Sequence, residues 1–324
     1  MRDHEIYGGN IGVFNPRGDC RSVIMGFLTS LTKAFNRALG PFNLRLTTAT
    51  GHARLLAVAE AETQQTVRVG QRQLLAIEDY TLDLLRLRVD GFDSNSLVKL
   101  RIVTDHPLAF ESADHRVPRG TRNDNTRHPR FVARCAGHVG RKIFHLDLGC
   151  AGGGLVWDFL LGGNQSYGVE GSDFSLVNQR AMWRVIPNNL FTADITKPFY
   201  FVDEEGARRR FDVITAWEVL EHIPRAALAG FFANLRGNLA DDGLFAASIA
   251  TFPDQDARAG AVWHVTVEPS SWWAEQFRTA GFEPVEGLFS PYDFARGSGN
   301  PRADDWDAVV RPDLGFHVVL RKRS

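Results

Sequence analysis

The residues best suited to chemistry begin at a glycine-rich turn, His145-Leu-Asp-Leu-Gly-Cys-Ala-Gly-Gly-Gly154, which directly follows an apolar run. Small residues at Gly149, Ala151 and Gly153 let the backbone turn sharply and come close to a ligand. A helix opening behind such a turn offers free N–H groups to a polar or anionic group. Glu170 closes the segment Ser-Tyr-Gly-Val-Glu, 21 positions after Gly149. A carboxylate at that distance can accept hydrogen bonds from both hydroxyls of a ribose. Asp194, in Thr192-Ala-Asp-Ile195, could accept a hydrogen bond from an exocyclic adenine amine. The glycine turn also reads as a plain strand-to-helix turn, and Glu170 as an ordinary strand-end acid. Taken together, the turn and Glu170 are shared with nicotinamide-dependent oxidoreductases. Asp147 inside the strand end, Asp194, and the segment Phe211-Asp-Val-Ile-Thr-Ala-Trp-Glu-Val-Leu-Glu-His222 argue against that alternative.

These residues need elements to place them. After Gly140 the chain alternates between strand and helix patterns. Strands are expected at 142–148, 166–170, 189–193, 211–216, 244–249, 282–287 and 315–321. Helices are expected at 155–161, 174–183, 225–239 and 270–280. Such alternation gives a mostly parallel sheet covered on both faces. Ligands of such sheets sit at the carboxyl ends of the strands, where each motif above falls. Before Gly140 the pattern differs. Helical spacing is seen at 21–39, stopped by Gly40-Pro41, and again at 54–64 and 73–89, with a short strand at 97–104.

With four motifs in order, the chain resembles the class I S-adenosylmethionine-dependent methyltransferases, in particular the branch of small-molecule and quinone-type enzymes. The resemblance covers Gly140 to Arg321. It implies a Rossmann-like α/β fold with a seven-stranded, mostly parallel sheet, helices on both faces, and an antiparallel last strand. It implies S-adenosyl-L-methionine as cofactor. Asp147, Gly149, Ala151 and Gly153 would shape the pocket for its methionine part. Glu170 would hold the ribose, Asp194 and Ile195 would flank the adenine, and Trp217 would pack nearby. Ala151 departs from the pattern, standing where many members carry a middle glycine.

Methyl transfer is an in-line displacement at an activated sulfonium methyl, so the protein mainly positions the nucleophile. A base helps where the nucleophile must lose a proton. His222 and His264 are candidates because imidazole titrates near neutral pH. Either could equally be a loop or packing residue. His222 is expected to share a helix face with Glu218. Glu218, Glu221, His222 and His264 could also hold a divalent cation, since some relatives with a Glu-x-x-Glu-His pattern use a metal to acidify a hydroxyl. The segment Pro107–Arg134 is rich in Pro, Gly, Asn and Asp and reads as loop or lid. Its arginines at 116, 119, 122, 127, 130 and 134 suggest recognition of a carboxylate or phosphate, with Arg119 and Arg122 as substrate-binding candidates. The acceptor expected from this is a small anionic metabolite or a glycan. Arg208-Arg209-Arg210 after Asp203-Glu204-Glu205 reads as a solvated hairpin.

Composition sets the frame. The 324 residues carry a net charge of −1, so no global field draws the protein to nucleic acid or an anionic membrane. An RNA acceptor therefore finds support only in the lid arginines. Three cysteines, Cys20, Cys135 and Cys150, fit neither a zinc site nor a disulfide framework, which suits a reducing cytoplasm. The N-terminal residues lack a signal-peptide pattern, and no apolar run is long enough to span a membrane. The expected organisation is a mainly helical region at 1–105, its role open between substrate binding and a homodimer surface, an arginine-rich lid or linker at 106–139, and a class I methyltransferase domain at 140–324.

Overall fold

The computed structural model describes residues 97–299 and 306–323. By its contacts the chain divides after Gln71, and all described residues belong to the second unit, Arg72–Ser324. The helices expected at 21–39, 54–64 and 73–89 lie outside the described residues.

In chain order the elements are β1 (Arg101–Thr104), α1 (Ala113–Arg116), α2 (Gly120–Asn123), α3 (Pro129–Val139), β2 (Phe144–Leu148), α4 (Gly154–Leu161), β3 (Gln165–Glu170), α5 (Phe174–Val177), β4 (Leu190–Thr192), β5 (Phe199–Val202), β6 (Arg208–Arg209), β7 (Phe211–Trp217), α6 (Leu228–Asn238), β8 (Leu239–Ala250), β9 (Gln255–Asp256), β10 (Ala261–Val262), α7 (Ser270–Thr279), β11 (Phe282–Pro284) and β12 (Gly315–Lys322). Seven strands form one sheet in the order β11-β12-β8-β7-β2-β3-β4. Strands β2, β3, β4, β7 and β8 run parallel, whereas β12 is antiparallel to both β8 and β11. The chain builds outward from β2 through β3 to β4, then crosses back to lay β7 on the other side of β2. The point of reversal, between β2 and β7, is where an open α/β sheet forms its ligand crevice. A second sheet, β1-β5-β6, is antiparallel, and its β5–β6 hairpin holds the expected acidic-basic turn through an Arg209–Asp203 ion pair.

Alternation along the strands explains the layers. In β7, Ile214 and Ala216 face a core with Phe231, Phe245 and Trp273, while Val213 and Trp217 face one with Phe131 and Phe159. The parallel strands are buried on both faces, as a sheet covered by helices on each side requires.

Two expectations are corrected. The helix expected at 174–183 is a single turn, α5, followed by a 3-10 turn at Ala181–Arg184. Gln179 and Ala181 take positive φ of 46° and 45°, which breaks the helix. Arg180 between them donates to the carbonyls of Thr121 and Asp124, so tertiary bonds outweigh the local pattern. The stretch read as loop or lid, Pro107–Arg134, contains α1, α2 and the first part of α3. Pro129 occupies its first turn, Phe131, Val132 and Cys135 are buried on one face, and Gly140 closes it in the left-handed conformation.

Candidate active site

The strand ends and the segment 109–124 enclose a cavity of about 560 Å³. The turn after β2 forms one wall. Gly149 has φ +73°, and a Cβ there would lie 2.5 Å from Val219 Cγ2, so only glycine fits. Ala151 holds φ +45° with an L side chain and is tied down on both sides. Its N–H donates to Glu170 Oε2 at 2.8 Å, and its carbonyl accepts Trp183 Nε1 at 2.8 Å. Gly149, Ala151, Glu170, Asp194, Ile195 and Trp217 all line the cavity.

Asp147 and Gly153 do not line it. Gly153 is the N-cap of α4, and a Cβ there would meet Leu190 at 2.8 Å, so it serves packing. Asp147 is buried beneath the turn and its Oδ1 accepts the Thr215 hydroxyl at 2.6 Å. Burial pushes its carboxyl up to about 7, opposed by the Thr215 bond and reinforced by the nearby Glu170 charge.

Glu170 closes β3 and is surrounded by donors. Oε1 accepts the Gly171 N–H at 2.9 Å and the Thr121 hydroxyl at 3.2 Å. Burial raises its carboxyl above the usual range, against these hydrogen bonds. Asp194 Oδ1 caps its own turn by accepting from Thr196 N and Oγ1, at 2.9 and 2.6 Å.

The opposite wall carries the two histidines, with ring centroids 4.9 Å apart. They differ in state. Burial opposes charge on His222, but the Asp114 carboxylate 2.6 Å from its Nδ1, helped by Glu221 and Glu218, raises it to about 9. The Asp114 contact therefore favours the imidazolium at neutral pH, which works against His222 as a proton acceptor. His264 is held below the ordinary histidine range by burial and by the His222 charge. Its Nδ1 lies 2.6 Å from the Phe252 carbonyl, which can only accept. Nδ1 thus carries the hydrogen of the neutral ring, and Nε2 carries the lone pair.

The stretch after β7 is not the helix that would put Glu218 and His222 on one face. Glu218 has φ +56°, and only Leu220–His222 makes a 3-10 turn. Glu218 Oε2 instead accepts Trp306 Nε1 at 2.9 Å. Of the four residues considered as cation ligands, Glu221, His222 and His264 bring one ligand atom each within 4.8 Å of one another, and Glu218 is not part of that cluster. Each histidine gives Nδ1 to an oxygen, the outer bond that metal-binding imidazoles commonly make. The protonated state of His222 works against coordination, because metal ligands must be deprotonated.

The arginines separate likewise. Arg116 and Arg119 line the cavity. Arg119 pairs with Asp254 at 2.5 Å and stacks on Trp263, 4.9 Å from the ring centroid. Arg122 lies over Phe174 and is outside the cavity lining. Arg127 and Arg134 are bound to Asp158 and Asp293. Asp114, Thr121, Thr215 and Phe252 carry roles that no sequence motif signalled, because each acts only through a partner from another element.

A family model described as a methyltransferase domain matches residues 120–286, more than half of the chain. No curated protein matches. Among solved structures, the chain is similar to the 1,6-didemethyltoxoflavin-N1-methyltransferase of Burkholderia thailandensis, with 19% identity, 65% of this chain and 85% of that one covered, and a TM-score of 0.42. It is similar to the glycopeptide N-methyltransferase MtfA, with 17% identity, coverage of 61% and 88%, and a TM-score of 0.41. It is also similar to the CcbJ methyltransferase of Streptomyces caelestis, with 16% identity, coverage of 66% and 96%, and a TM-score of 0.42. Likeness at this level carries no argument about the acceptor. The family match, borne by a chain whose strand-end motifs meet in one cavity, decides against the oxidoreductase alternative: the chain belongs to the methyltransferase domain family and is a class I S-adenosylmethionine-dependent enzyme.

Proposed function

We propose that the enzyme methylates an oxygen or nitrogen of a small acceptor, with His264 as the general base. The observation that carries this reading is the fixed tautomer of His264, whose Nδ1–H is held by the Phe252 carbonyl. In this reading S-adenosylmethionine lies along Gly149, Ala151 and Glu170, with its adenine by Asp194 and Ile195 and Trp217 beside it. The acceptor lies against Phe252, Trp263 and His264, which share the same cavity. The acceptor O–H or N–H gives its proton to His264 Nε2 as the nucleophile displaces the methyl from the sulfonium. S-adenosylhomocysteine leaves as a neutral thioether. Burial, together with the charge of the neighbouring His222, keeps His264 neutral.

Arg119 and Arg116 support an acceptor with an anionic group or sugar hydroxyls. Arg119 is half shared with Asp254, so it orients the acceptor more than it supplies net charge. A divalent cation at Glu221, His222 and His264 is a second reading, favoured only by their convergence.

The test is transfer of a labelled methyl group to a panel of small phenols, amines, sugars and carboxylated metabolites, with and without a chelator. Turnover is expected without added metal. For the acceptor found, His264→Gln is expected to lower kcat by about 10²-fold or more, with little change in donor KM. An unchanged kcat removes His264 as base, and loss of turnover on chelation replaces that role with the cation.

A further inference from the structure

One buried set of polar side chains is not used by the methyl-transfer reading. His145, in the middle of β2, is fully buried and stacks on Phe159 with ring centroids 3.7 Å apart. Its Nδ1 lies 2.7 Å from Ser166 Oγ on β3, and its Nε2 lies 2.9 Å from Thr215 Oγ1 on β7. Thr215 in turn donates to Asp147 Oδ1 at 2.6 Å. A histidine inside a parallel strand is a poor fit for a core unless it does something there, because an unsatisfied buried polar group is destabilising.

The hydrogens of this chain follow from its end. Thr215 spends its one hydrogen on the Asp147 carboxylate, so its oxygen can only accept from His145. His145 Nε2 therefore carries a hydrogen. Burial holds the ring well below the ordinary histidine range, so it is neutral and Nδ1 has a lone pair. Ser166 must then donate to Nδ1. Every bond points the same way, from Ser166 on β3 through β2 to Thr215 on β7 and on to Asp147.

We infer that Ser166, His145 and Thr215 are positioning residues that hold Asp147 as an oriented acceptor beneath the glycine turn and thereby set the affinity for the cationic end of the methyl donor. This rests on the reading that the donor lies along that turn. Among the described residues, Thr215 is the only donor to the Asp147 carboxylate, and it takes Oδ1. Asp147 does not line the cavity, so it acts on a ligand there through its charge, from beneath the turn. S-adenosylmethionine carries an ammonium and a sulfonium, and a carboxylate beneath the glycine turn favours both through its charge. The chain is anchored at three strands, so Asp147 is held in one orientation before the donor arrives.

The geometry has a consequence in pH. The groups facing Asp147 are Thr215 from β7, Glu170 from β3 and the Cys150 thiol in the turn. Arg180 lies near the last two. Glu170 disfavours the ionised form of Asp147, and Thr215 favours it. The carboxyl titrates at about 7, so donor binding should strengthen as pH rises through neutrality. Removing the Thr215 hydroxyl takes away the stabilising bond and moves that transition upward.

The experiment measures S-adenosylhomocysteine affinity by calorimetry from pH 5.5 to 9 in the wild type, Thr215→Val and Thr215→Ser. The ligand's own titration is common to all three. The wild type is expected to gain affinity with a midpoint near 7. Thr215→Val should shift the midpoint upward by about one pH unit, the size of one lost bond to a charged group. Thr215→Ser should return it. A Thr215→Val protein that melts earlier but keeps the wild-type midpoint shows a merely structural hydroxyl and overturns the inference. A wild type that does not bind S-adenosylhomocysteine at any pH overturns the donor reading as well, so the two failures are distinguishable. A second measurement needs no variant: the ¹⁵N shifts of the His145 ring in the wild type. A neutral ring protonated at Nε2 is expected at pH 8, where Asp147 is ionised. Protonation at Nδ1 reverses the chain and overturns the inference.

Discussion

At the scale of single residues, the site sorts its ionisable groups by partner rather than by type. His222 and His264 are both imidazoles on one wall, yet the first faces Asp114 and the second a carbonyl. That difference favours the charged form of His222 and the neutral form of His264, the form the proposed base needs. Asp114→Asn tests it. In the wild type the raised affinity of His222 for its proton contributes stability that is fully present below the unfolded value of about 6.5 and lost as pH rises through about 9. The variant should lose up to about 3 kcal/mol near pH 6 and converge with the wild type near pH 10, measured as denaturant midpoints. A gap that does not shrink with pH would mean the Asp114–His222 contact is not an ion pair. Ala151 shows the same dependence on surroundings. A left-handed conformation costs an L residue about 1 kcal/mol. Here Glu170 and Trp183 hold it from both sides, so the missing middle glycine is tolerated.

At the scale of elements, α3 is packed into the core by its buried face. Phe131 of α3 packs edge-on against Trp217 at 5.1 Å and Phe159 at 6.2 Å, joining the segment to the core beneath the cavity. The connection into α3 is fixed by Asp158 of α4. This fully buried carboxylate accepts from Arg127 at 2.5 Å and from the backbone N–H of His128 at 2.6 Å. Truncating Arg127 would remove a counter-charge from that carboxylate and leave the His128 N–H bond in place. Arg127→Ala should lower unfolding stability by about 3 kcal/mol, read from the urea midpoint at unchanged slope. A loss under about 1 kcal/mol would show that solvent reaches Asp158 freely. The arginines thus serve two purposes that their spacing cannot separate. Arg127 and Arg134 bind the fold, whereas Arg116 and Arg119 face the cavity.

At the scale of the whole molecule, the sheet and its crevice are one object, because the cavity is built from the ends of strands that also form the core. Ligand binding should therefore appear as global stability. S-adenosylhomocysteine at a hundredfold its Kd should raise unfolding free energy by about 2.7 kcal/mol. A chemical melt with and without ligand checks this, and a ligand that binds without moving the melt would place its site outside the cooperative unit. Among the described residues no helix is long and apolar enough to cross a membrane. The alternation of apolar strands and helical patterns, with glycine and acids at strand ends, was enough to indicate the α/β sheet and strand-end residues that line the cavity, since each of those signals lies within a few residues of chain. Gly149, Glu170 and Asp194 are legible for that reason. The state of each histidine, the turning of Glu218 to Trp306, the breaking of the 174–183 helix by Arg180, and the chain from Ser166 to Asp147 were decided only by tertiary structure. Each depends on a partner from another strand or loop, tens of residues away in most cases, and neither burial nor a hydrogen-bond partner is written in local spacing.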